Sequence, residues 1–192
     1  MFYKFALGLM NIVIRLIFRF KVEGRENMPT DEGIVLAVNH RSNWDPVLAG
    51  LASPRPLTFM AKEELFKNKF FGGLITSLGA FPLKRGGGDI GAFRAAMKII
   101  GNKGVMLIFP EGHRMKNGVH GKAGAGVALI AQRTKARVVP MCISGGYGWM
   151  SKVTVRIGKP LSFEELYGKK LTAEEQRTLA GEIMDKVWEL ES

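Results

Sequence analysis

A short apolar run, Ile34 to Val38, stops abruptly at Asn39-His40, and Asp45-Pro46 follows within one tight loop. The run is rich in β-branched residues and is preceded by Asp31-Glu32-Gly33, so it is predicted to be a buried strand. Asp45-Pro46 is a helix-start signature, with Asp45 predicted as N-cap and Pro46 at the first helical position. His40 therefore leaves a strand end and Asp45 opens the next helix. The loop between them is short enough to fold the carboxylate back onto the imidazole. An Asp that accepts from one ring nitrogen fixes the tautomer and leaves the other nitrogen as an outward lone pair. That makes a general base and its orienter, still without a nucleophile. The spacing is common, and the same residues also suit an unreactive polar loop.

The rest of the chain repeats this alternation. Strands are predicted near 21–33, at Leu57–Ala61, Gly79–Leu83, Gly104–Phe109, Arg137–Ile143 and Lys152–Ile157. Helices are predicted from Asp45 to about Ala52, from an Asp89 cap to Ile100, and over Lys122–Thr134. Thr172-Ala-Glu-Glu175 is a capping box that opens a last helix to Trp188. Between Lys62 and Leu78 the aromatic and aliphatic residues Phe66, Phe70, Phe71, Leu74 and Ile75 suit either a core or an acyl-chain groove, with core as the default. Alternating elements of this kind predict a single-domain α/β fold with a mixed, largely parallel sheet flanked by helices.

Charged groups collect at predicted strand ends, the recurrent place for a site in such a sheet. Lys84-Arg85 precede Gly86-Gly87-Gly88, which suits a phosphate cradle or a flexible turn carrying solvated charge. Pro110-Glu111-Gly112-His113-Arg114 ends another strand, and Arg114 can bind phosphate. His113 and His120 lie in a basic loop without carboxylate or thiolate partners at ligand spacing, so no metal is expected.

Residues 2–20 are largely apolar, yet Lys4, Gly8, Asn11, Arg15 and Arg19 recur on one helical stripe. The longest uncharged run, Phe5 to Ile14, is too short to span a bilayer. Residues 1–20 are thus expected to form an amphipathic membrane-interface helix, with a helix packed on the core as the alternative. Lys and Arg number 28 against 17 Asp and Glu, a net charge of +11 that favours anionic partners. No zinc-finger spacing and no aromatic RNA-binding pattern accompany it, so nucleic acid is not an expected partner. The single cysteine, Cys142, lies in an apolar run and is expected to be a buried structural thiol.

Four blocks stand in order: Asn39-His-x-Ser-x-x-Asp45, Gly79-Ala-Phe-Pro-Leu-Lys-Arg85, Phe109-Pro-Glu-Gly-His-Arg114 and Val138-Val-Pro-Met141. This set resembles the motif blocks of the glycerolipid acyltransferases, in particular the 1-acylglycerol-3-phosphate (lysophosphatidic acid) acyltransferases. His113 departs from the Thr usual in that family, and Lys84 stands where an acidic residue is more usual. The resemblance implies that residues 21–192 form an acyltransferase domain using His40 as base and Asp45 as its orienter. It implies Lys84, Arg85, Glu111, Gly112 and Arg114 at the substrate, with the arginines on phosphate and Glu111 on the glycerol hydroxyls or on Arg114. It further implies a membrane lysolipid acceptor, an acyl thioester of acyl carrier protein or coenzyme A as donor, and no cofactor. A peripheral or monotopic place on the cytoplasmic face of the membrane follows. An acyltransferase for a lyso-ornithine lipid or glycolipid, or a peripheral membrane-binding protein without chemistry, are the alternatives.

Overall fold

The structure, a computed structural model, describes residues 2–83, 90–115 and 119–192. Lys84, Arg85, the glycines after them and the Asp89 cap lie outside the described residues. The strands are β1 (Arg19–Glu23), β2 (Ile34–Val38), β3 (Leu57–Lys62), β4 (Ala80–Leu83), β5 (Val105–Ile108), β6 (Arg137–Gly145) and β7 (Lys152–Ile157). The helices are α1 (Phe2–Ile17), α2 (Asp45–Ala52), α3 (Lys69–Ser77), α4 (Ile90–Gly101), α5 (Gly126–Thr134) and α6 (Ala173–Trp188).

All seven strands form one sheet in the order β1-β7-β6-β2-β5-β3-β4. Every pairing is parallel except β6 with β7, so the predicted mixed, largely parallel sheet is what forms. β2 lies near the middle, and all five of its side chains are buried. Successive strand residues point to opposite faces. Ile34, Leu36 and Val38 accordingly pack with Ile14, Phe18 and Leu48 of the α1–α2 side. Val35 and Ala37 pack with Val127, Ile130, Ile183 and Val187 of the α5–α6 side. A buried leucine lost from such a strand leaves a cavity as well as lost transfer energy. Leu36→Ala is expected to lower unfolding stability by about 2–5 kcal/mol, read from the urea midpoint.

Cys142 is buried in the second of these cores, and burial pushes its thiol up to about 12. It is a structural thiol, as its apolar run implies. The capping box at Thr172 and Glu175 is formed in both directions. Pro82 is tolerated in β4 because that strand lies at the sheet edge.

Three expectations need correction. The N-terminal helix stops at Ile17, and Arg19 and Phe20 belong to β1, because Arg19–Glu23 pairs with β7. α5 begins at Gly126 rather than Lys122, because the preceding segment runs under the Pro110-Glu111 loop. There Gly124 N–H donates to the Pro110 carbonyl at 2.8 Å. A Cβ on Gly121 would lie 2.6 Å from Glu111 Cγ. The core default for residues 62–78 fails at Phe70, which is 94% exposed, and at Leu74, also exposed.

α1 packs on the core through one side only. Ala6 and Ile14 are buried, while Phe5 (71%), Leu9 (55%), Ile12 (59%) and Leu16 (63%) form an exposed apolar stripe one helical repeat apart. Among the described residues no helix is long and apolar enough to cross a membrane.

Candidate active site

The parallel pairing of β2 with β5 carries the first construction step. Its register sets Ala37 opposite Ile108. Continued past both carboxyl ends, that register brings residue 40 opposite residue 111. His40 N–H donates to Glu111 Oε2 at 2.7 Å. The neighbouring β6 is tied in by Asn39, whose buried side chain accepts from Ile143 N–H at 2.7 Å and donates to the Ile143 carbonyl at 2.9 Å. One amide thus imitates a rung of the ladder and holds the chain rigid where His40 leaves it.

The His40–Asp45 pair forms as predicted, with Nδ1 and Oδ2 2.9 Å apart. Asp45 does not cap α2, however; Trp44 holds the cap position. Its carboxylate is taken up by the loop instead. Oδ2 also accepts from the backbone N–H groups of Arg41 and Ser42, each at 2.6 Å. Oδ1 accepts from the Tyr147 hydroxyl at 2.6 Å. Four donors around one buried carboxylate satisfy it without solvent. Because a carboxylate only accepts, Nδ1 carries the proton and Nε2 keeps the lone pair. Among the described residues Nε2 has no hydrogen-bond partner. Phe109 stacks on the ring with centroids 4.0 Å apart and planes 18° apart, which fixes its rotation.

Glu111 is buried, and burial raises its carboxyl to about 7 despite the hydrogen bond from His40. Its Oε1 has no partner among the described residues. A carboxyl with a raised pKa holds its proton more tightly when folded, so stability falls as pH rises from the ordinary carboxylate range to about 7. Glu111→Gln is expected to flatten that decline in a melting-temperature series against pH. An unchanged slope would show that Glu111 titrates normally. Gly112 follows with φ +70°, a turn that suits glycine. Arg114 is exposed, and its guanidinium donates to Asn43 Oδ1 at 2.7 Å, which ties it to the His40 loop. Met115 N–H donates to the His40 carbonyl at 2.8 Å, closing the two loops on each other.

The structure thus brings His40, Asp45, Glu111, Gly112 and Arg114 together; Lys84 and Arg85 lie outside the described residues. Tyr147 had no signal in the sequence. Burial and the adjacent Asp45 push its hydroxyl above the ordinary phenol range, so it stays a donor.

A largely parallel α/β sheet that collects a hydrogen-bonded His–Asp pair and a second buried carboxyl at its carboxyl end has the framework of an α/β enzyme. A family model described as Acyltransferase matches residues 19–144, and the chain belongs to that acyltransferase family. It is 32% identical to the 1-acyl-sn-glycerol-3-phosphate acyltransferase of Streptococcus pneumoniae (strain ATCC BAA-255 / R6), over 100% of this chain and 74% of the relative. It is likewise 32% identical to the protein of that name from Bacillus subtilis (strain 168), over 83% of this chain and 82% of the relative. Among solved structures, the 1-acyl-sn-glycerophosphate (LPA) acyltransferase PlsC from Thermotoga maritima superposes with a TM-score of 0.73 at 27% identity. The match covers 98% of this chain and 80% of that one.

Proposed function

We propose that this acyltransferase moves a fatty acyl group from a thioester to the free sn-2 hydroxyl of 1-acylglycerol-3-phosphate, giving phosphatidic acid. The acceptor follows the names of its relatives. The observation that carries the chemistry is the His40 Nδ1–Asp45 Oδ2 contact of 2.9 Å, which leaves Nε2 free to act. Nε2 takes the hydroxyl proton as the oxygen attacks the thioester carbonyl. The tetrahedral oxyanion then collapses, the C–S bond breaks, and the thiolate leaves with the proton returned by His40. No acyl-enzyme is needed, because the nucleophile belongs to the substrate.

Arg114, held by Asn43, and Arg85 would bind the phosphate. Glu111 and Gly112 shape the loop beside the base, and Lys84 adds positive charge next to Arg85. The net charge of +11 suits the acidic carrier of either donor, acyl carrier protein or coenzyme A. The exposed stripe Phe5, Leu9, Ile12 and Leu16 would rest α1 in one leaflet on the cytoplasmic face, and the exposed Phe70 and Leu74 of α3 suit an acyl chain.

The test is transfer of a labelled acyl group from a thioester in mixed micelles, with lysophosphatidic acid and with lysolipids lacking phosphate as acceptors. Turnover confined to the phosphate-bearing acceptor is expected. Arg114→Ala and Arg85→Ala should each raise KM for it by about tenfold or more. Equal turnover on an acceptor without phosphate would replace the substrate and keep the base.

A further inference from the structure

A second cationic cluster, made of other residues than those around His40, lies where α1 gives way to the edge strand β1. Arg15, Phe18, Arg19, Phe20, Lys21 and Lys152 line an open groove of about 440 Å³. The sheet itself forces the charges together. The parallel register of β1 and β7 sets Arg19 directly against Lys152, and Lys21 lies two residues further along the same strand face. Arg15 enters from the last turn of α1. Like charges held opposite one another across a ladder cost stability unless something neutralises them. Lys21 has a carboxylate partner, Glu23, at 2.7 Å. Among the described residues Arg15 is held by the neutral Asn11 side chain at 3.1 Å. Among the described residues no carboxylate pairs with Arg15, Arg19 or Lys152.

The surroundings say which anion. Leu16, next to Arg15, is exposed at the end of the apolar stripe of α1. Trp149 is 76% exposed and is followed by the exposed Met150, whose N–H donates to the Ile17 carbonyl at 2.7 Å. Exposed apolar and indole residues of the kind that sit at a bilayer interface thus stand on the segments that adjoin the groove, whose cations suit headgroup level. A soluble phosphate would have no use for those residues. Charge and apolar neighbours together fit one occupant.

We propose that Arg15, Arg19, Lys21 and Lys152 form a docking site for the phosphate headgroup of an anionic membrane lipid, separate from the acceptor site beside His40. The proposal rests on the interfacial placement of α1 argued above. Its floor residue Phe18 packs edge-on against Trp44 and Tyr147, so the lipid site and the support of Asp45 share one aromatic side chain.

The experiment measures partition onto phosphatidylcholine vesicles with and without phosphatidylglycerol, an anionic lipid that is neither substrate nor product of the proposed reaction. Binding to pure phosphatidylcholine reads the apolar stripe of α1. The gain on adding phosphatidylglycerol reads the groove, so the two failures are distinguishable. Arg19→Glu with Lys152→Glu is compared with Lys169→Glu and Lys170→Glu, an equal change of charge in the exposed segment before α6, on the other face of the sheet. Arg19→Gln with Lys152→Gln keeps the test valid if charge reversal unfolds the edge strand.

The groove variants are expected to lose about tenfold or more of the phosphatidylglycerol-dependent gain, and the control pair less than about threefold. Equal losses in groove and control variants would mean a diffuse charge effect and overturn the site. So would an undiminished gain in folded groove variants. Inorganic phosphate that saturates wild type at matched ionic strength, but not the groove variants, would assign the groove to soluble phosphate and overturn the lipid.

Discussion

Alanine at His40 is expected to lower turnover by about 10²–10⁴-fold, with the melting temperature near that of wild type. The ring stands in the loop between β2 and α2 and meets the first core only through its stack on Phe109, so its removal leaves the strands of the sheet in place. What disappears is the group that takes the acceptor proton in the proposed mechanism. The backbone N–H of residue 40 still donates to Glu111, since that contact does not involve the imidazole. Acceptor affinity should therefore persist while kcat falls. Labelled acyl transfer at saturating acceptor, read beside a thermal melt, separates the two quantities. Turnover within a few-fold of wild type in folded His40→Ala would remove the general-base mechanism.

The second large effect is expected at Asp45. Asp45→Asn should lower kcat by about 10²–10⁴-fold, because a neutral amide no longer stabilises the imidazolium that forms as the proton arrives. The carboxylate answers donors on both sides: three at Oδ2 and the Tyr147 hydroxyl at Oδ1. An amide can keep its oxygen toward the loop only by turning its NH₂ toward Tyr147. The phenol must then accept rather than donate, and the loop loses part of its rigidity. Tyr147→Phe alone removes one hydrogen bond and should cost about tenfold in kcat with little change in KM. In the Asp45→Asn background the same change should cost much less, since the two residues act as a unit. Full additivity in that double-mutant cycle would show that Tyr147 merely fills space. Tyr147 is a positioning residue, and a kcat effect without a KM effect is the mark of that role.

Much of this site is written locally. The strand, the short loop and the Asp-Pro start of α2 are all contained in residues 34–46, so the His40–Asp45 contact needs no distant partner to be foreseen. The capping box at Thr172, the buried thiol of Cys142 and the alternation of strands and helices are local or periodic too. Periodicity leaves a choice open where a helix has more than one apolar surface. α1 packs one apolar side on the core and exposes another, and a wide apolar arc reports only the sum of the two. It failed at Phe70 and Leu74, because a helix-period pattern says which residues share a face and nothing about what covers that face.

The sequence by itself determined which residues are candidates for the chemistry, because the four ordered motif blocks single them out where the spacing of any one pair does not. It also determined that strands would deliver them, since the β-branched runs stop where those residues begin. Only the tertiary structure decided how they meet. The parallel register of β2 and β5 sets Glu111 against the His40 backbone, and the long β6 carries Tyr147 around to the far side of Asp45. The change of Asp45 from helix cap to loop anchor is local by contrast, because the backbone N–H groups of Arg41 and Ser42 take its Oδ2. Strand register and long-range hydrogen bonding are agreements between segments far apart in the chain. No single segment contains them, so they exist only once the sheet has formed.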